Sequence, residues 1–556
     1  MIDETACQGT EGVHRRDLLR SGLMVAASAP FLISCAGRAS SEARFPIVET
    51  THGKLRGRAH GGLAEYKGIP YGASTGGANR FLPPQPASTW SGVRDALRLG
   101  DQSPQFNDDW PYWLDQSPAS EDCLKLNVWA PETAGRSSRL PVMVWLHGGG
   151  WRFGSSGAPG YDGADITRAG NVVTVGINHR LNLFGFTYLG DGDERFASAG
   201  NAGQLDIVAA LKWVRDNIEA FGGDPGNVTI FGQSGGGGKV TTLLGMEAAQ
   251  GLFHKAIVQS GSVLRLREPA VAAKLTHQMY ADLGIRNGDV EALQRLPTAA
   301  LLKCYDRLRQ MHGYNVPSVR HSPVADGKVI SHQVWNRSAP ALSRDIPMII
   351  GSNLDETIPY CSVDMAKPIA DDRALAAAAA KSAILNEIDP AALLPVIANY
   401  RREMPKLSPP ELLLRVSTDI GFWKNAVRQQ ELKSTAGGAP VFAYECRWKT
   451  PCYGGMWSPH GIELPFVFNH PQYGAAWDGK DSDALRAAAD PRGDRFRVGE
   501  QMFRAWVSFA HNGNPSTAAL QWPAFDPAKR STMVFDRSTR VENDIRPSLR
   551  PIVAAL

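Results

Sequence analysis

Cysteine is scarce in this chain, at seven of 556 residues, and it offers no Cys-x-x-Cys pair or Cys/His cluster. A disulfide framework is thereby excluded as the basis of the fold, and neither a metal site nor any other cofactor is expected. An excess of one charge is also lacking. The 59 basic and 55 acidic residues leave a net +4, without a block of consecutive basic residues, so no nucleic-acid partner is expected. There is no internal repeat and no linker long enough to split the chain. With 43% hydrophobic and 21% charged residues, the composition excludes a disordered tail protein, a collagen-like repeat or a disulfide-held mini-scaffold. At ~150 residues per domain the length would suggest three or four domains, a count that α/β folds often break.

The N-terminus has its own character. His14-Arg15-Arg16-Asp17-Leu18-Leu19-Arg20 resembles a twin-arginine export signal, and a short apolar run, residues 22–33, follows it. That run falls short of the ~20 apolar residues of a transmembrane span but suits the apolar core of a signal peptide. Leu32-Ile33-Ser34-Cys35 then resembles a bacterial lipoprotein box, which would lipidate Cys35 and attach the chain to a membrane. An ordinary cleavage nearby, or a chance cysteine, is the alternative. Residues 36–44 read as a tether. The expected organisation is a signal and tether over 1–44, a single domain over 45–556, and an exported protein that is periplasmic, envelope-anchored or secreted.

From about Phe45 onward, apolar strands alternate with helical stretches. Strands are expected at 140–146, 171–178, 227–231, 256–259, 348–351 and 441–447. A helix is expected over 205–218, where Leu205, Val208, Ala209, Leu211, Trp213 and Val214 share one wide face. This alternation implies an α/β fold: a large, mostly parallel sheet with helices on both faces. The Ala/Leu-rich stretch from about 365 to 435 is expected to form a helical cap over the sheet's end.

Chemistry concentrates at Gly232-Gln233-Ser234-Gly235-Gly236. In this Gly-x-Ser-x-Gly pattern a serine on a tight strand-to-helix turn presents its hydroxyl above the sheet, and glycines two residues to either side relieve the crowding. The glycine run also invites a phosphate-loop reading, which fails on spacing. The glycine required five residues before Gly238-Lys239 is Gln233, and Val240 replaces the hydroxyl residue that would touch magnesium. A serine nucleophile also needs an oxyanion hole. His147-Gly148-Gly149-Gly150-Trp151 follows a strand, where backbone N–H groups can point into a site.

With these motifs on view, the chain from about 46 to 540 resembles the type-B carboxylesterase and cholinesterase family of α/β-hydrolases. The residues that carry the resemblance include Tyr66-Lys67-Gly68-Ile69-Pro70-Tyr71, Ser120-Glu121-Asp122-Cys123-Leu124, and Asn178-His179-Arg180 with Phe184-Gly185-Phe186. Phe221-Gly222-Gly223-Asp224-Pro225, Pro323-Val324-Ala325-Asp326-Gly327 and Gly513-Asn514-Pro515 extend it. The resemblance implies a Ser-Glu-His triad. Its acid motif falls on Gly351-Ser352-Asn353-Leu354-Asp355-Glu356, with Asp355 the rival and Glu356 at the family's position. Its histidine motif falls on His460-Gly461-Ile462-Glu463-Leu464-Pro465-Phe466. Ser234 would attack an ester carbonyl while His460 takes its proton, and Glu356 would fix the imidazole. The N–H groups of Gly149, Gly150 and Gly235 would hold the oxyanion. Neutral small to medium esters are the expected substrates.

Three departures from the family qualify what is carried over. Gln233 stands where many members have Glu, Gly235 where Ala is usual, and Ser103 where Cys123 would find a disulfide partner. Trp110 and Trp113 in the intervening loop would either line a substrate gorge or pack the loop. Cys446 and Cys452 flank a short segment, and sequence leaves their pairing open. Some members of this fold family have lost the triad and act as binding or adhesion modules. That alternative is set against a chain in which the three triad positions and both oxyanion motifs are filled.

Overall fold

The long apolar runs of the sequence are strands buried on both faces. Along Leu140–Leu146, Val142, Val144 and Leu146 join one core, while Met143 and Trp145 join another on the opposite face. A strand with two buried faces has no polar alternation, which is why these segments read as continuous hydrophobic stretches.

The computed structural model describes residues 44–106, 115, 117–190, 193–312, 321–359, 369–380, 388–472 and 483–556. The expected export signal, Cys35, Trp110 and Trp113 lie outside them. The described residues belong to one compact unit, Ala43–Leu556.

Among the described residues the main sheet has eleven strands. In chain order they are β1 (Arg58–His60), β2 (Leu63–Pro70), β3 (Lys125–Pro131), β4 (Leu140–Leu146), β5 (Val173–Ile177) and β6 (Gly223–Gln233). The remainder are β7 (Lys255–Gln259), β8 (Met348–Asn353), β9 (Val441–Cys446), β10 (Ser531–Phe535) and β11 (Arg540–Asn543). Their spatial order is 11-10-9-8-7-6-4-5-3-2-1. Neighbours from β10 through β5 run parallel, and the flanking pairs are antiparallel. The expected mostly parallel sheet is present, with antiparallel flanks that apolar patterning alone does not distinguish.

Helices cover both faces. Ala202–Asn217, Gly235–Leu243 and Lys424–Thr435 contribute to one core through Ile207, Leu211, Val240 and Leu432. Asp494–Asn512 supplies the other through Val498, Met502, Phe503, Trp506 and Phe509. The helix expected from residue 205 starts at Ala202, because buried Ala202, Gly203 and Gln204 extend it ahead of the apolar pattern. Strand β6 begins at Gly223 rather than 227, since Gly223 pairs with Leu140 across a register shift.

In the expected cap, Asp372–Ala380, Pro390–Glu403 and Pro409–Thr418 share a separate small core with Leu549 and Val553. A π-helical turn, Asp419–Trp423, joins the last of these to Lys424–Thr435 on the sheet.

Candidate active site

The register aligns the ends of the central strands. Leu146 pairs with Gly232, Gln233 with Gln259, and Gln259 with Gly351, so the loops leaving β4, β6, β7 and β8 open at one level. In an open parallel sheet, the crevice beyond these carboxyl ends is where ligands bind.

Ser234 sits between β6 and the helix Gly235–Leu243 with φ +58° and ψ −125°. A residue with a side chain is strained there, typically by ~1–3 kcal/mol. Two hydrogen bonds hold it in place: its N–H donates to the Gln259 carbonyl (2.8 Å), and its carbonyl accepts from Gly238 N–H (2.9 Å). The turn is too tight for side chains beside it. A Cβ on Gly236 would overlap the Leu146 carbonyl oxygen, and one on Gly232 would lie 2.5 Å from the Gly236 carbonyl carbon.

The glycine turn after β4 meets this elbow directly. The Gly150 nitrogen lies 2.5 Å from where a Cβ on Gly235 would stand. Glycine at 235 is what allows this approach. Gly149 and Gly150 both have positive φ, at +88° and +59°. The structure thus places Gly150, with Gly149 just before it in the turn, against Gly235.

The acid–base half is made by side chains. His460 Nδ1 donates to Glu356 Oε2 at 2.5 Å, and Glu356 Oε1 accepts the Asn353 N–H at 2.7 Å. Both side chains are buried, and the Phe422 ring of the π-helical turn lies 5.1 Å from the imidazole. Asp355 points elsewhere: it accepts from Arg415 Nη2 (3.2 Å) and Ser458 N–H (2.9 Å). The geometry therefore separates the two acidic candidates. Glu356 reaches the histidine, while Asp355 braces the loop.

Sequence reasoning missed a buried link between these halves. Gln259, whose carbonyl holds Ser234, donates its side-chain amide to Glu463 Oε1 at 3.2 Å. Glu463 Oε2 accepts from Asn353 Nδ2 at 2.7 Å, and Asn353 is the residue that binds Glu356. Burial, reinforced by the charge of Glu356, pushes Glu463 up to about 7. The available signal was its position three residues after His460, at the N-cap of the short helix Leu464–Val467.

The departures from the family pattern also have structural outcomes. Gln233 is buried, and its Nε2 has no hydrogen-bond partner among the described residues. Ser103 Oγ accepts the Leu181 N–H at 3.1 Å, and Cys123 remains a buried thiol, pushed up to about 12 by burial. Cys446 and Cys452 are thiols as well. Among the described residues, no three His, Cys, Asp or Glu side chains gather as a metal ion would require, and no helix is long and apolar enough to cross a membrane.

A strained serine elbow, a glycine turn beside it and a buried His–Glu pair at the strand ends define an α/β-hydrolase. Comparison with known proteins narrows this further. The chain matches the Carboxylesterase family over residues 44–548 and belongs to it. It is 36% identical over 502 residues to the para-nitrobenzyl esterase of Bacillus subtilis (strain 168), covering 90% of this chain and 96% of that one. Carboxylesterase 1E of Rattus norvegicus is 32% identical, with 86% and 88% covered. Among solved structures, the Geobacillus stearothermophilus carboxylesterase EST55 superposes with a TM-score of 0.77 at 34% identity, covering 91% of this chain and 99% of that one. This protein is a carboxylic ester hydrolase.

Proposed function

We propose that the protein cleaves neutral small to medium carboxylic esters through an acyl-enzyme on Ser234. His460 takes the hydroxyl proton as Ser234 Oγ bonds to the ester carbonyl carbon, then gives it to the departing alkoxide. Water, activated by the same imidazole, adds to the acyl carbon, and its collapse returns the acid and free Ser234. Glu356 keeps the His460 Nδ1 proton in place and stabilises the imidazolium. The N–H groups of Gly149, Gly150 and Gly235 stabilise the oxyanion, each contributing roughly 2.7–4 kcal/mol when preorganised. The observation that carries this reading is the buried 2.5 Å contact between His460 and Glu356, joined through Asn353, Glu463 and Gln259 to the elbow that strains Ser234.

A fluorophosphonate should label the wild-type protein at one equivalent, with the adduct on the peptide containing Ser234. A panel of chromogenic esters of increasing acyl length should show turnover. Labelling at another residue, or no turnover of any ester, rejects the assignment.

The same reading includes an address. We infer export through Arg15 and Arg16 and membrane attachment through lipidated Cys35. Replacing Arg15 and Arg16 with Lys should leave the protein unprocessed in the cytoplasm. An intact mass for mature protein that starts at an unmodified residue beyond Cys35 would refute lipidation alone.

A further inference from the structure

Lys239 lies on the helix that begins at the elbow, four residues and so one turn after Gly235. Its side chain is completely buried, and among the described residues it has no carboxylate partner. One acceptor faces its Nζ, the carbonyl oxygen of His147 at 2.7 Å. An amine buried without a counter-ion forfeits its solvation, a cost that a methionine of similar shape would not bear. What lysine supplies and methionine does not is a hydrogen-bond donor to His147.

That carbonyl opens a chain of anchored peptides. The His147 ring Nδ1 lies 3.0 Å from the Gly148 carbonyl oxygen, and the Gly149 carbonyl oxygen accepts from Arg152 N–H at 2.9 Å. A trans peptide is planar, so fixing a carbonyl points the N–H of the same peptide the opposite way. The Gly148 carbonyl thereby aims Gly149 N–H, and the Gly149 carbonyl aims Gly150 N–H. The two later anchors are local to the turn. The first, from Lys239, crosses from the helix that carries Gly235. His147 is itself held from behind by His179, stacked on it at 4.9 Å and 14°.

We propose that Lys239 is a positioning residue of the oxyanion hole: by holding the His147 carbonyl it locks the Gly149–Gly150 turn to the helix that presents Gly235. The inference rests on the proposed serine mechanism. Burial lowers Lys239 well below the usual lysine range and favours the neutral amine, which still donates a hydrogen bond. Burial lowers His147 and His179 likewise.

The test is Lys239→Met beside wild type, with p-nitrophenyl acetate as substrate and a trifluoromethyl ketone as the ligand that forms a tetrahedral oxyanion on Ser234. The kcat should fall roughly 10- to 100-fold with KM changed less than about threefold, a loss below that of removing a donor outright. Ketone affinity should fall by the same factor as kcat/KM, and fluorophosphonate should still attach at one equivalent. Lys239→Gln, which keeps an N–H donor, should recover part of the loss. A Met variant within about twofold of wild type overturns the proposal, as does one that loses KM while ketone affinity holds. A Met variant that does not fold also overturns it, because the amine would then be a structural requirement. Wild-type protein that neither labels nor turns over esters would instead remove the mechanism on which the proposal rests.

Discussion

The two halves of the site are built from different materials. Around Ser234 nearly everything that matters is backbone: a strained φ, glycines that admit close approach, and N–H groups aimed by their own peptides. Around His460 the working parts are side chains, with Glu356, Asn353, Glu463 and Gln259 linked in one buried network. A backbone site is set by sterics: here a Cβ added at Gly149, Gly232, Gly235 or Gly236 would collide with backbone atoms. A side-chain site is set by hydrogen bonds, and with Glu463 raised to about 7 in its network it should respond to pH.

Four measurements would sharpen or break this contrast. Ser234→Ala should abolish fluorophosphonate labelling and lower ester hydrolysis by a factor on the order of 10⁵–10⁶, with little change in thermal stability. A stoichiometric label on that variant would remove the backbone half from the mechanism. On the other half, Glu356→Gln should lower kcat by roughly 10³- to 10⁴-fold. Asp355→Asn should leave kcat within about tenfold, yet cost about 3 kcal/mol in urea unfolding by stranding the mostly buried Arg415. Reversed effects in the two variants would mean that the loop presents the other carboxylate.

The third measurement concerns pH. The folded-state pKa of Glu463, about 7, stands above its ordinary value of 4.5. Between those values the folded chain keeps a proton that the unfolded chain has released. Stability should therefore fall as pH rises through this window, by on the order of 3 kcal/mol. Glu463→Gln should flatten the dependence and be the more stable protein at pH 8. Parallel urea midpoints for the two proteins at pH 5 and pH 8 would show that Glu463 is not the titrating group. The smallest effect concerns Gln233, which places no charge beside the nucleophile. Neutral acetate esters should exceed acetylcholine by at least roughly tenfold in kcat/KM, which needs only ~1.4 kcal/mol, and Gln233→Glu should narrow the gap. Equal turnover of the two by wild type would show that selectivity lies in other residues.

The same contrast explains what was legible in the sequence. Strands β4, β6, β7, β8 and β9 announced themselves as apolar runs because both faces are buried, and the elbow did so because its geometry demands glycine at fixed offsets. The choice of Glu356 over Asp355 came from the family motif and not from the chemistry of either residue. Physically it depends on which carboxylate the chain turns toward residue 460, more than a hundred positions away. Lys239 was visible, but only as part of a phosphate loop that did not fit. Its reach to His147 becomes apparent once β4 and β6 are paired. Glu463 was hidden for a similar reason, since its partners come from β7 and from the end of β8.

The spacing of the site along the chain has a consequence for folding. Under the proposed mechanism, Ser234, Glu356 and His460 can act together only after β6, β7, β8 and β9 have paired side by side, and His460 lies beyond the last of these. Parallel pairings of this kind close long loops before they gain contacts, and so they form late. On that mechanism, a growing chain that has completed the elbow holds a serine with neither its base nor its acid. Catalytic power should therefore appear in one step, when the final third of the polypeptide docks, and any partly folded intermediate short of that point is inert toward esters.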